Sequence, residues 1–373
     1  MKNLKRRCWI EFNICILFAL LGCRQSVQQS NYVVIDLSKQ ISMNSVKASE
    51  LIKEVRYIPL ETTDESVIGD VAILKPVKEG FFMLSGNRFD QLSFFDADGQ
   101  FIRRIGQRGQ GPGEYLSLTG FDVSEQERLL FLYSSNRQIL IYTFDNKFLR
   151  SIPIDIRGVV MKTTWGYIAY KDPLSQPQNL GKEAAVLVSL DENGNELEVL
   201  QYRKIEIERG SFFNPALLKN FDGNYYYYPP FQDTLYSVQA DKIIPKYVLP
   251  KGSFSIDIKD VETLEKRRDA FSRGISLGDF ILNDHQLILH CTRQNQEKMY
   301  IYDLASKKLS GVSEIVNDMD NSFPFRPFFI HLNQWLEIKT AYEIINESAM
   351  LPAALKNLDE EDNPVIRISI LKK

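Results

Sequence analysis

The chain has 373 residues, with 45 Lys and Arg against 48 Asp and Glu and a formal net charge of −3. That mild acidity argues against a nucleic-acid surface, which needs a dense basic face to displace counterions. A hydrophobic content of 44% with 12% aromatics supplies material for a packed core and argues against global disorder.

The first element is a basic stretch (Lys2, Lys5, Arg6, Arg7) followed by an apolar run over 12–21. This layout reads as an export signal and is too short for a membrane span. It ends in Leu20-Leu21-Gly22-Cys23, which resembles the bacterial lipobox. The resemblance implies cleavage before Cys23, acylation of its thiol and new amino terminus, and attachment to a membrane through fatty chains. The expected organisation is a signal over 1–22, a polar flexible tether over 23–31 and one domain over 32–373. The expected address is the cell envelope, at the outer membrane. The tether lacks the acidic run that sends some such lipoproteins to the cell surface. Cys8 and Cys15 leave with the signal and Cys23 is consumed by lipid, so Cys291 stands alone. No disulfide within the mature chain and no multi-cysteine zinc site is possible, and stability must come from packing.

Beyond the tether, short apolar or alternating runs separated by Gly, Asp and Asn read as β-strands and tight turns. One marker recurs: a strand ending in an apolar residue and Asp, a polar turn, then another strand. It is placed at Asp96, Asp145, Asp191, Gln239 and Asp303. The spacing is about 48 residues apart from a longer last interval, and a four-stranded repeat of roughly 40–50 residues is the signature of a β-propeller blade. In blade terms these turns join the third and fourth strands. The two inner strands are then expected at 71–74 and 81–84, 120–123 and 129–133, 158–163 and 165–170, 215–220 and 225–228, and 277–282 and 287–291. A sixth blade is expected from 327–332, 334–338 and 365–371, one strand short. The segment 55–60 is available to complete it. The expected fold is therefore all-β: a six-bladed propeller of four-stranded antiparallel blades, closed by N- and C-terminal strands, which removes an open sheet edge.

Two segments break the pattern. Residues 260–274 read as a surface helix with Asp260 as N-cap, a Glu262–Lys266 pair and Gly274 at its end, inserted between the fourth and fifth blades. Residues 341–358 are helical in pattern, broken at Pro352, inside the sixth blade.

The most distinctive internal sequence is the Gly-rich stretch 104–115, with Gly106, Gly109, Gly111 and Gly113. It lacks the Lys-Ser/Thr ending and the following helix of a phosphate cradle. Two readings remain: a compact crossover between blades, or a ligand contact at the propeller mouth through Arg108, Glu114 or Tyr115. Together with Tyr57-Ile58-Pro59-Leu60-Glu61-Thr62-Thr63, the stretch resembles the six-bladed β-propeller lipoproteins of Bacteroidota, relatives of the NHL-repeat and TolB-type propellers. The resemblance supports the fold and implies no settled activity.

No catalytic, cofactor or metal motif emerges. His285 and His290 bracket one apolar strand and are expected on opposite faces, and His331 is isolated. There is no Gly-x-Ser-x-Gly. In the run Tyr225–Tyr228, alternate tyrosines face opposite sides, two between blades and two able to reach solvent or the channel; core packing is the favoured reading and an aromatic platform for a sugar or peptide the alternative, and Trp165 and Trp335 carry the same ambiguity. The expected function is a lipid-anchored envelope propeller that binds or assembles a protein, peptide or glycan partner. The alternatives are a lactonase- or lyase-like enzyme using a divalent cation in the central channel, and a scaffold of an outer-membrane nutrient-uptake complex.

Overall fold

The computed structural model describes residues 32–372 apart from 87–89, 174–178, 207–215, 321, 327–328, 332–333 and 349. The signal, the tether and Cys23 lie outside the described residues, as does the side chain of His331.

Three strands come first: β1 (Val33–Val34), β2 (Met43–Lys47) and β3 (Ile52–Pro59). Blade 1 is β4 (Val71–Val77), β5 (Gly80–Ser85), β6 (Gln91–Asp96) and β7 (Phe101–Arg104). Blade 2 is β8 (Leu118–Ser124), β9 (Leu129–Ser134), β10 (Gln138–Thr143) and β11 (Phe148–Pro153). Blade 3 is β12 (Gly158–Thr163), β13 (Gly166–Lys171), β14 (Glu183–Leu190) and β15 (Glu196–Lys204). Blade 4 is β16 (Leu217–Phe221), β17 (Asn224–Tyr228), β18 (Thr234–Val238) and β19 (Ile243–Val248). Blade 5 is β20 (Ile275–Leu282), β21 (Gln286–Arg293), β22 (Gln296–Asp303) and β23 (Lys308–Val316). Blade 6 takes β24 (Phe329–His331), β25 (Gln334–Lys339) and β26 (Val365–Leu371), and its fourth strand is β3. The protein is thus a six-bladed β-propeller. The first strands of blades 1 to 4 pack on one another in turn, which makes the first strands the inner ring.

Each blade is buried on both faces, so its middle strands read as continuous apolar runs instead of alternating ones. All six residues of β5 are buried. The core divides into clusters that sit between neighbouring blades. Phe82, Leu92 and Phe121 belong to the seam between blades 1 and 2; Phe95, Leu336 and Ile368 belong to the seam between blades 6 and 1. Each such side chain contributes about 1.5–3 kcal/mol on full burial, and this is what replaces disulfides here. The tyrosine run packs as core, the favoured reading from sequence, with all four rings buried. Tyr225 and Tyr227 pack toward blade 3 and Tyr226 and Tyr228 toward blade 5, since both faces of the strand meet a neighbour.

The ring closes as expected: β26 pairs antiparallel with β3, from Val365 opposite Pro59 to Leu371 opposite Ile52. The sequence reading missed what precedes β3. β1 adds to the outer strand of blade 4 in parallel, and β2 does the same on blade 5. The N-terminal segment is therefore a strap that runs around the rim of three successive blades. Gly311 admits it, because a Cβ there would lie 2.5 Å from the Met43 Sδ and 2.9 Å from the Ser42 carbonyl oxygen.

Blades 1–3 have no strap. Their outer strands share a bulge one residue after the strand starts, at Ile102, Leu149 and Leu197, as β3 does at Lys53, and β19 is bulged at Lys246 beside its strap pairing. A bulge spoils an edge for further pairing. It also leaves Ile102, Leu149 and Leu197 40%, 44% and 53% exposed. The outer strands are further clamped to the next blade's turn. Arg103 donates to the Phe144 carbonyl and to Asp145, and Arg150 to the Glu192 carbonyl and to Asn193.

The turn chemistry is mostly that expected. The carboxylates of Asp96 and Asp191 each accept backbone N–H groups two and four residues on, and Asp303 accepts the Ser306 N–H. In blade 2 the role passes to Thr143, whose hydroxyl accepts from Lys147 N–H, and Asp145 lies beyond it. The first insertion contains a 3₁₀ turn, Ile258–Val261, and then α1 (Leu264–Arg273). Asp260 is not the N-cap of α1. Its carboxylate is spent on the Asp257 N–H in a capping box, and Thr263 caps the helix. The second insertion holds α2 (Ala341–Glu347) and a 3₁₀ turn, Ala353–Leu355, after Pro352.

Beside the closure, a buried ion pair holds the crossover into blade 6. The Arg367 side chain, 1% exposed, pairs with Glu337, donates to the Phe323 and Pro324 carbonyls and stacks on the rings of Phe323 and Phe325. Removing one partner leaves a buried charge alone. Arg367→Ala is expected to lower the unfolding free energy by about 3–5 kcal/mol in urea melts, whereas Arg367→Met combined with Glu337→Leu recovers most of that loss.

Candidate functional site

The two ends of the ring differ. At one end, connections from first to second and from third to fourth strands are two to five residues long. The other end carries the remaining connections, reaching 26 residues between β19 and β23's blade and 25 within blade 6. Both helical insertions and the Gly-rich crossover belong to this second end. So do seven exposed large apolar residues: Val67, Leu116, Leu180, Leu264, Val316, Tyr342 and Met350. The other exposed ones lie in the strap or on outer strands, and among the described residues none lies in a short turn. A rigid scaffold with its long connections and exposed apolar side chains on one face defines that face as the candidate site.

The Gly-rich crossover on this face is closed on itself. Tyr115 is buried and its hydroxyl donates to the Ile105 carbonyl at 2.9 Å. Glu114 accepts the Gly111 N–H at 2.7 Å and a bond from Gln107, and these donors hold its carboxyl below the ordinary range. Gly109 passes so close to that carboxylate that a Cβ would lie 1.9 Å from Glu114 Oε2. Gly113, at φ 83°, offers its carbonyl to the Tyr142 hydroxyl. Arg108 is about half exposed, 3.6 Å from Asp90. The Tyr115 hydroxyl is thus turned inward, while the Glu114 carboxylate, bonded within the loop, and the Arg108 guanidinium both stay at the surface.

The inner ring carries a constellation that the sequence reading missed. Lys75 of blade 1 meets Asp122 of blade 2 at 2.9 Å, and three blades on, Lys219 of blade 4 meets Asp279 of blade 5 at 2.7 Å. Asp122 also accepts from the Tyr133 hydroxyl at 2.6 Å and from the Lys162 N–H at 2.8 Å, so one carboxylate ties three blades together. Lys162 extends over the rings of Phe131 and Tyr167 to Glu192. Lys219 stands alone in the run Leu217-Leu218-Lys219, a charge within an inner strand, and that was the available signal. These groups satisfy one another, and among the described residues no group of three His, Cys, Asp or Glu could hold a metal ion.

His285 lies exposed in the β20–β21 turn, while His290 is on β21 opposite Asp279. The two do not share a site. Nε2 of His290 is buried without a partner, and burial lowers its pKa below 6.5 against the pull of Asp279. Cys291 is buried, and burial pushes its thiol up to about 12, far from a reactive thiolate. Among the described residues no helix is long and apolar enough to cross a membrane.

Fold and site together define the class: a six-bladed propeller with one elaborated face and a charge-paired inner ring. A family described as a domain of unknown function, DUF4934, matches residues 32–369, and the chain belongs to it. In structure it is similar to a putative exported protein of Bacteroides fragilis, with a TM-score of 0.71 at 14% identity, covering 92% of this chain and 100% of that one. It is also similar to a member of the duf4221 family from Bacteroides vulgatus, with a TM-score of 0.50 at 8% identity, covering 86% and 97%. At those identities the likeness concerns the fold. No curated protein matches the chain significantly.

The buried imidazole makes a signed prediction. Its neutral form is favoured in the folded state, so its contribution is constant above the unfolded pKa near 6.5. As pH falls below that value the unfolded chain binds the proton first and stability drops, by at most about 1.4 kcal/mol per pH unit. Urea midpoints measured from pH 7 to 5 should fall for the wild type and fall less steeply for His290→Gln.

Proposed function

We propose that the protein is a lipid-anchored propeller of the cell envelope, held through Cys23, whose long-connection face binds and assembles a protein partner. The single observation that supports this most is the one-sided distribution of exposed apolar side chains. Val67, Leu116, Leu180, Leu264, Tyr342 and Met350 are spread over several blades of that face. A spread of that width suits a protein surface laid across the ring better than a small glycan in one pocket. The strap adds a geometric consequence. Because β1 lies on the outer edge of blade 4, the described chain enters the propeller at its rim and not on the elaborated face.

Photo-crosslinking in living cells tests this. A benzophenone amino acid at Leu264 or Tyr342 is expected to capture the same protein in the membrane fraction, and one at Lys147 or Asn193 in the short turns is not. Cys23→Ala should release the propeller from that fraction. Equal capture from both faces, or none from either, would contradict the reading.

A further inference from the structure

The strap and blade 5 enclose a groove of about 600 Å³ that the proposed partner face does not use. One wall is the strap, with Asp36, Lys39 and Ile41; the other is the β22–β23 hairpin, with Tyr302, Lys307 and Lys308. Its charge is unlike that of the chain as a whole. Three lysines face one carboxylate, and that carboxylate is already committed. Asp36 accepts the Ser38 hydroxyl at 2.6 Å and the Ser38 N–H at 3.0 Å, and lies 3.5 Å from Lys39. Among the described residues Lys307 and Lys308 take part in no ion pair.

Lys307 lines the groove from the strand-three-to-four turn, where it sits at φ 57°, a left-handed turn position that Arg128 and Arg137 also take in other turns of this chain.

We propose that this groove binds a phosphate ester, with Lys307 and Lys308 on the phosphate and Tyr302 and Ile41 against the body of the ligand. Lysine suits this as a compact charge with several donors, and the volume suits a ligand of headgroup size. The chemistry has two sources, a free phosphate ester or the phosphate of a membrane lipid. The groove is built from the segment that follows Cys23, which would bring a bilayer within reach; that source alone rests on the lipid-anchor reading.

The test uses the mature chain carrying Cys23→Ala, titrated with glycerol 3-phosphate in a calorimeter. Saturable binding is expected, weakened about tenfold or more by Lys307→Gly with Lys308→Ala. Gly at 307 relieves the backbone, so the thermal midpoint should stay or rise, which separates lost binding from lost folding. Sedimentation with phosphatidylglycerol vesicles, but not phosphatidylcholine vesicles, would assign the lipid source, and glycerol phosphate binding without sedimentation would assign the free ester. No binding by the parent chain, or binding that the double variant retains, would overturn the proposal. Failure of acylation at Cys23 would remove the anchor and leave glycerol phosphate binding intact.

Discussion

The pairing of β3 with β26 is the contact on which the rest depends. A propeller blade is apolar on both faces and gains stability only between two neighbours. Five blades are contiguous in the chain. The sixth is completed by a strand that lies about 300 residues away from its partner, so until those ends meet, two seams stay open. The clusters at those seams, built around Trp335 and Ile315 on one side and Leu336 and Phe95 on the other, form only when the ring is complete. Asn363 reinforces the junction from outside the sheet, with bonds to the Glu61 and Ser66 carbonyls and from the Ile68 N–H.

A closed ring has no ends, but it still has a rim of outer strands with unpaired backbone. The chain handles that rim in two ways. The strap covers blades 4 and 5 with added parallel strands, and bulges at Ile102, Leu149, Leu197, Lys246 and Lys53 distort the outer strands of blades 1, 2, 3, 4 and 6. Inside, the Lys75–Asp122 and Lys219–Asp279 pairs join the first strands of neighbouring blades. Packing, edge control and inner charge pairing thus act at three different radii.

What could be read from the sequence follows the range of the interactions. Asp96 and Asp191 cap turns within four residues of themselves, so the blade period was legible from local chemistry alone. The closing strand was legible because the last blade lacked one and 55–60 was unassigned. The strap was not: β1 has two residues, β2 has five, and parallel pairing to a distant strand leaves no turn to mark it. Asp122 was invisible as a hub because its partners lie on β4, β9 and β12. Asp260 was misplaced because two Asp residues three apart both look like helix caps. Glu114 and Tyr115 were legible as unusual residues, while the bonds that their polar atoms make within the crossover needed coordinates. The groove at Lys307 needed the strap and so was out of reach from sequence.

Sealing of the array by its two termini is most directly probed by hydrogen–deuterium exchange under native conditions. Amides in Ile52–Pro59 and Val365–Leu371 should exchange as slowly as those in Gly80–Ser85, through global opening only. Early exchange of the terminal strands, with the Gly80–Ser85 amides still protected, would show a ring that stands without its closure and would contradict the account.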